Sequence, residues 1–243
     1  NLSFESYESM NKLNSDKYEF VYPNYSLSKA VDLENDLVES LDFTSTGNQK
    51  KFSTNIYEAI QVNDLILASS KFINKLGFNN GFKTIIKNVN SDSNNSSKLK
   101  EKKQSELLTL ISYDVDVPLI KEDGDNLNLL IPKLSLRFSP NDTKNLKDED
   151  RLLSTDNIFS LNRIGFNETI EGGGSLTLGL DYEKKNQRNG HLFDAKVATV
   201  FRDELNENLP TSSTLGKKQS DFVGELRYIP NSKFAFDYNF SVD

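Results

Sequence analysis

The last nine residues alternate strictly between large apolar and small or polar side chains. They read F-A-F-D-Y-N-F-S-V over 234–242. The even positions hold Phe234, Phe236, Tyr238, Phe240 and Val242. The odd positions hold Ala235, Asp237, Asn239 and Ser241. A period of two places these sets on opposite faces of a β-strand. Several aromatic rings on one face and a wet opposite face are typical of a strand that separates lipid from water.

The same alternation recurs along the chain, and helical patterns are few. Strands are predicted at 17–27, 37–43, 52–62, 82–89, 107–117, 130–138, 157–162, 175–182, 192–201, 222–228 and 234–242. Residues 63–76 fit either a helix or a strand that ends before Gly77. Residues 90–104 have almost no apolar side chains and predict a flexible polar loop. The predicted fold class is all-β, an antiparallel up-and-down meander of about ten strands in one domain.

The connections alternate in length towards the end of the chain. Asn189-Gly190 is a tight-hairpin signal, 206–219 is long, and Pro230-Asn231-Ser232 is short again. Outer-membrane barrels have short periplasmic turns and long external loops. We therefore expect both short turns at the periplasmic rim and 206–219 outside the cell. A soluble β-sandwich can alternate its loops in the same way, so this pattern supports both architectures.

Composition restricts the chemistry. The net charge of -7 argues against nucleic acid as a partner, and the absence of cysteine removes disulfides and thiolate metal sites. The single histidine, His191, follows Gly190 in a predicted turn, so we expect it to be exposed rather than catalytic. The acidic runs at 122–125 and 148–150 lack the spacing of a calcium-binding EF-hand. The sequence predicts no catalytic residue, no metal site and no cofactor.

The mean hydropathy of -0.57 does not exclude a membrane barrel, because only alternate residues of its strands face lipid. No apolar run approaches the roughly 18 residues of a transmembrane helix.

One segment carries a family resemblance. Residues 156–171 read D-N-I-F-S-L-N-R-I-G-F-N-E-T-I-E and lead through glycines into L-G-L-D-Y at 178–182. This segment resembles a stretch of the lipopolysaccharide (LPS)-assembly outer-membrane proteins, the LptD (OstA) family. The matching positions are Phe159, Asn162, Arg163, Gly165, Ile170 and Gly172. Residues 167–169 depart from the family's Asp-Arg. The segment from Ser220 and Asp221 to Pro230 resembles a second motif, and 18–23 and 117–140 resemble earlier strands of the family.

The resemblance implies part of a large transmembrane β-barrel in the bacterial outer membrane. Such a barrel inserts LPS into the outer leaflet and catalyses no reaction. The implied partners are LPS, outer-membrane lipids, an LptE-like plug lipoprotein and an LptA-like periplasmic bridge. About ten strands are too few for that barrel. We therefore expect a middle piece of it, without the N-terminal jellyroll and the remaining strands.

Three other functions fit parts of the pattern. Another outer-membrane porin or receptor would share the strands but not the segment around Arg163. A soluble carbohydrate-binding β-sandwich would stay monomeric in water without detergent. An outer-membrane hydrolase would need a Ser–His pair that includes His191.

The alternation assigns side chains to the two faces of the predicted barrel wall. The lumen-facing candidates are Ser175, Thr177, Asp181, Glu225, Arg227, Lys233, Asp237 and Asn239. The lipid-facing candidates are Leu176, Leu178, Leu180, Phe234, Phe236, Tyr238 and Phe240.

The two faces predict different tolerance to charge. Phe236→Arg is expected to block barrel assembly, because a charge on the lipid face costs roughly 2–4 kcal/mol near the membrane midplane. Asp237→Arg is expected to be milder. The yield of folded protein in outer membranes measures both effects, and equal tolerance of the two variants would contradict the assignment of faces.

Overall fold

The structure is a computed structural model. It describes residues 1–8, 18–31, 33, 35–52, 55–96, 99, 101–231 and 233–243. Over these ranges the chain forms β-strands, and the only helical element is a short 3₁₀ turn at Thr214–Gly216. No helix among the described residues is long and apolar enough to cross a membrane.

The strands follow one another in an antiparallel meander. They are β1 (Leu2–Glu8), β2 (Tyr18–Val31), β3 (Val38–Phe52), β4 (Tyr57–Ser69), β5 (Phe72–Ile73), β6 (Asn79–Asn94), β7 (Gln104–Asp116), β8 (Leu119–Asp123), β9 (Asn126–Ser139), β10 (Gly173–Asn186), β11 (Leu192–Arg202), β12 (Phe222–Asn231) and β13 (Phe234–Val242). The sheet order is β1-β2-β3-β4-β6-β7-β9-β10-β11-β12-β13, and β5 and β8 pair beside it with β6 and β9. The predicted all-β antiparallel fold class is confirmed.

Several predicted strand bounds are wrong. Residues 157–162 form turns rather than a strand, and 52–62 is divided between β3 and β4. Residues 63–76 contain the end of β4 and the short β5, so the helical alternative is excluded. The predicted loop at 90–104 is shorter, because β6 continues to Asn94. Positions 17, 53, 54, 97, 98, 100 and 232 of these predictions lie outside the described residues.

The predicted connections agree better with the structure. The turn at 187–191 is short, Gly190 has a φ of +73°, and the Asn186 side chain accepts hydrogen bonds from the backbone N–H groups of Arg188 and Asn189 at 3.0 Å each. His191 is exposed there, as expected. The connection between β11 and β12 is long and spans 203–221.

The chain divides into two compact units. Unit 1 comprises Asn1–Ala68, Thr84–Thr109 and Asn167–Thr169. Unit 2 comprises Ser69–Lys83, Leu110–Phe166 and Ile170–Asp243.

Unit 1 buries both apolar and polar side chains. Val62, Ile85, Val89 and Leu108 are buried, and Lys87 among them is 1% exposed. Both carboxylate oxygens of Asp64 accept from the Lys87 ammonium at 2.7 Å. A buried lysine needs such a partner, because an unpaired charge away from water is costly.

Unit 2 has an inverted sheet: its polar face is buried and its apolar face is exposed. In β9, Ser135 and Arg137 are 1% and 5% exposed, whereas the alternating Leu136 and Phe138 are 47% and 57% exposed. Direct cross-strand pairing places Ser135 and Arg137 beside Thr177 and Ser175 of β10. We call this side of β7 and β9–β13, which is buried only in part, the polar face. We call the opposite side, which carries Leu136, Phe138, Leu178, Phe236 and Tyr238, the apolar face.

The polar face is covered where the chain makes its two long connections, 140–172 and 203–221. Ala198, Val200 and Val223 form an apolar patch on that face. Side chains of the connections complete a buried cluster with this patch, namely Leu146, Ile158, Ile164, Leu209 and Leu215. The core of unit 2 therefore lies between its long connections and the sheet, and the apolar face takes no part in it.

Three aromatic rings lie directly over glycines. A Cβ added to Gly224 would come within 2.6 Å of Phe240, and one added to Gly47 would come within 2.8 Å of Tyr25. Each of these rings belongs to the residue paired with its glycine across the sheet. Gly179 is covered by Phe159 of the 140–172 connection in the same way. The missing side chain leaves the space in which each ring packs.

Candidate functional site

A buried arginine holds the 140–172 connection against the polar face of unit 2. Arg163 is fully buried and uses every one of its N–H donors. Its Nε and Nη2 donate to the two carboxylate oxygens of Glu171 at 2.6 and 2.5 Å. Its Nη1 and Nη2 also donate to Thr177 and Ser175 of β10 at 2.8 Å each. The fifth donor, on Nη1, reaches the Ile158 carbonyl at 3.5 Å. Only the planar guanidinium fork can satisfy so many acceptors at once.

Two further arginines surround the same carboxylate. Arg202, at the end of β11, donates to Glu171 and to the Gly172 carbonyl. Arg137 of β9 donates to the carbonyls of Ser160 and Leu161 at 2.7 and 2.5 Å. The arginine cluster, defined as Arg137, Arg163, Arg202 and Glu171, thus joins the connection to β9, β10 and β11.

Electrostatics in the cluster favours an ionised glutamate. Three guanidinium groups and one carboxylate leave a formal charge of +2 on four buried side chains. Burial by itself raises the pKa of Glu171. The charge and hydrogen bonds of Arg163, with the charges of Arg137 and Arg202, lower that pKa from 4.5 to about 2. Glu171 therefore carries its negative charge throughout the physiological pH range.

The residues matched in the first motif shape the same connection. Phe159 covers Gly179 of β10, and Lys133 lies over its ring at 5.9 Å. The Asn162 side chain accepts from the Gly165 N–H at 3.1 Å and donates to the Phe166 carbonyl at 3.2 Å. Gly165 has a φ of +78°, which disfavours any side chain.

The second motif forms the junction between the 203–221 connection and the sheet. Ser220 Oγ accepts from the Val200 N–H at 2.9 Å, and Thr199 donates to the Ser220 carbonyl at 2.9 Å. The Asp221 N–H donates to Thr214 at 2.7 Å. These contacts hold the connection in place.

The lumen-facing candidates fall into three groups. Ser175 and Thr177 are buried under the arginine cluster. Asp181, Glu225, Arg227 and Asp237 are part of a charged belt of cross-strand ion pairs on the polar face. The belt comprises Lys133–Asp181, Lys196–Glu225 at 3.3 Å and Arg227–Asp237 at 3.4 Å. Lys233 and Asn239 are exposed.

The lipid-facing candidates lie on the apolar face, or in β13 at the end of the sheet order. Phe234, Phe236 and Tyr238 are about 60% exposed, and Leu178 and Leu180 about 40%. Leu176 and Phe240 are half-buried. Side chains on both faces of β13 are exposed, so exposure does not distinguish the two sides of this strand.

Sequence reasoning missed three members of the arginine cluster as site residues. Arg137 and Arg202 alternate in step with the other polar residues of β9 and β11. This alternation predicts that both arginines lie on the polar face of the sheet. Glu171 belongs to an irregular connection, where no periodicity relates it to Arg163. Among the described residues no group of acidic or histidine side chains has the geometry of a metal site. The cluster is suited to holding a structure together rather than to a reaction.

Removal of the Arg163 guanidinium should release the 140–172 connection. Breaking a buried pair by removing one partner costs about 3–5 kcal/mol, so Arg163→Met should strongly destabilise unit 2. Arg163→Lys should also be destabilised, because an ammonium cannot replace the fork. Arg188, whose pair with Asp125 is exposed, provides the control: Arg188→Met should change stability by less than about 1 kcal/mol. Urea unfolding in detergent measures all three, and equal effects of Arg163→Met and Arg188→Met would contradict this role.

The depressed pKa of Glu171 predicts an acid-sensitive contact. Since the folded pKa lies below the unfolded value of 4.5, the stabilisation is complete above pH 4.5 and is lost as the pH falls towards about 2. Glu171→Gln should be less stable at neutral pH and should lose less stability on acidification. Thermal unfolding followed by circular dichroism between pH 2 and 6 tests this. Parallel pH curves for the two proteins would exclude Glu171 as the titrating group.

Comparison with known proteins agrees with the resemblance seen in the sequence. Comparison with curated proteins gives no match. The family described as LptD, "LPS transport system D", matches residues 18–242, which is nearly the whole chain. Both motif segments, the arginine cluster and the inverted sheet lie within the match. The chain belongs to the LptD family of outer-membrane LPS transport proteins.

Proposed function

We propose that this chain forms part of the wall of a transmembrane β-barrel that inserts LPS into the outer leaflet of the outer membrane. The observation that carries the proposal is the inverted sheet of unit 2. An exposed face with Leu136, Phe138 and Leu178 is unfavourable in water and favourable in lipid. The transported molecule, LPS, is inferred from the membership of the chain in the LptD family.

Backbone chemistry supports the proposal that the chain is part of a closed barrel. In lipid every backbone N–H and C=O must be paired, which a closed antiparallel meander achieves. Within the described residues β1 pairs with β2 alone and β13 with β12 alone, so both ends of the sheet order have unpaired strand edges. We propose that further strands of the barrel cover these edges.

The polar face is proposed to line the lumen. Its charged belt is hydrated and presents both signs of charge, which suits the passage of a polar saccharide. The cluster of Arg163 and Glu171 would hold the 140–172 connection inside the lumen. Of the remaining implied partners, an LptE-like plug would contact this face and an LptA-like bridge would deliver LPS from the periplasm. No enzymatic step is part of the proposal.

Site-specific photocrosslinking in cells tests the proposal. A photoreactive amino acid is placed in the full-length protein at Asn239, on the predicted lumen side, or at the neighbouring Tyr238. We expect LPS adducts at Asn239 and phospholipid adducts at Tyr238, because successive strand residues face opposite sides. Protein without the photoreactive residue gives the background. Phospholipid at Tyr238 without LPS at Asn239 would support the membrane position and contradict LPS passage along this face.

A further inference from the structure

Unit 1 has a cavity of about 500 Å³ that is open to the surface, between β2, β3, β4, β6 and the start of β7. This volume is in the range of sites for small molecules, about 300–1,000 Å³. The cavity does not involve the arginine cluster or the charged belt. Its polar lining is dominated by amides and includes Gln49, Gln61, Asn90 and Gln104.

One wall of the cavity has a fixed aromatic ring. Tyr25 is half-buried and lies over Gly47, its partner across the sheet. Because Gly47 covers one side of the ring, the other side is available to the cavity. Pro23 adds apolar surface beside it. The electron-rich face of an aromatic ring attracts weakly positive C–H groups, such as those on the flat side of a pyranose.

The amides of this region differ in their hydrogen bonding. The Asn63 and Asn90 side chains both donate to Oδ1 of Asn88, at 3.2 and 2.6 Å, and the Asn88 side chain donates to Ser105 Oγ at 3.3 Å. This ladder fixes one row of side chains. By contrast, the Gln49 and Gln61 side chains make no hydrogen bond within the described part of the chain. An amide both donates and accepts, as a sugar hydroxyl does, so free amides match a hydroxyl-rich ligand.

Charge argues against a phosphate ligand. The cavity is lined by one acidic side chain, Asp92, and one basic side chain, Lys103, which together are neutral. Anion sites in proteins normally concentrate arginine, lysine or helix N-termini. A neutral saccharide fits this lining better than a nucleotide does.

An exposed apolar row continues from the amides along the same strands. Leu65 lies on the same face of β4 as Gln61. In the same way, Ile86 shares a face of β6 with Asn90, and Leu107 shares a face of β7 with Ser105. These three side chains are 37%, 41% and 63% exposed. On one face of the sheet, three strands therefore carry an apolar residue and, further along, a polar one, which is an amide in β4 and β6 and a hydroxyl in β7. A glycolipid changes from acyl chain to sugar in the same way.

We propose that this cavity binds the saccharide of a glycolipid, with Tyr25 stacking on a sugar ring, Gln49 and Gln61 bonding hydroxyls, and the Leu65–Ile86–Leu107 row contacting acyl chains. The site is separate from the proposed lumen and does not depend on LPS passing through it.

Binding measurements on the folded chain in a sugar-free detergent, such as an amine oxide, test the site. Alkyl maltosides must be avoided, because their headgroup is itself a saccharide. The probes are intact LPS, the lipid-free oligosaccharide released from it by mild acid, and a phospholipid without sugar. Isothermal titration calorimetry gives each affinity, and circular dichroism verifies that every variant folds.

Gln61→Ala should weaken binding of intact LPS by about two- to tenfold, the range for one neutral hydrogen bond. Tyr25→Ala should weaken it at least as much. Gln187→Ala, in the exposed turn after β10, is the matched control and should have no effect. Should Tyr25→Ala fail to fold, Gln61→Ala and Gln49→Ala carry the test.

The probes distinguish the sources of the saccharide. Binding of the free oligosaccharide, weakened by Gln61→Ala, would assign recognition to the sugar itself. Binding of intact LPS alone, weakened by Gln61→Ala and by Leu107→Ser, would assign it to a glycolipid headgroup. Equal affinity for the sugar-free phospholipid, or the same loss from Gln187→Ala, would overturn the proposal, as would an absence of binding to all three probes.

Discussion

The ion pair between Arg163 and Glu171 is the contact on which unit 2 depends most. A guanidinium without access to water is stable only when its donors are satisfied, and those acceptors come from both the connection and β10. Arg137 and Arg202 extend the same network to β9 and β11. One carboxylate thus pairs with two arginines, and the positions of all three arginines determine how a long irregular segment meets a regular sheet.

This network also accounts for the division of the polar face into two regions. Where the connections cover it, serine, threonine and arginine are buried and an apolar cluster can form around Ile158 and Val200. Beyond the connections, the same strand positions carry charges that pair across the sheet. The change follows from water access: a covered polar position needs an internal partner, whereas an open one retains its hydration.

The sequence predicted regular structure well and irregular structure poorly. The alternation of apolar and polar residues identified the strands of unit 2, because successive side chains of a β-strand point to opposite faces wherever the strand lies in the fold. It misassigned 157–162, where Ile158 and Phe159 are apolar because they pack into the core and not because they belong to a strand. It also shortened β6, whose polar end at Asn90 to Asn94 pairs through its backbone. The motif identified Arg163 and Gly165, but the partnership of Arg163 with Glu171 depends on a fold that no local pattern encodes.

The glycines beneath Phe240 and Tyr25 have a consequence for how the sheet selects its pairing. Alternation rejects a slip of one residue, because it would turn every side chain to the wrong face. It does not reject a slip of two, which keeps every face correct. Such a slip would place Phe240 opposite Leu226 or Phe222 in place of Gly224, where its ring would collide with a side chain. Each aromatic ring over a glycine therefore disfavours a register shift of two residues, which the alternation of apolar and polar side chains alone would allow.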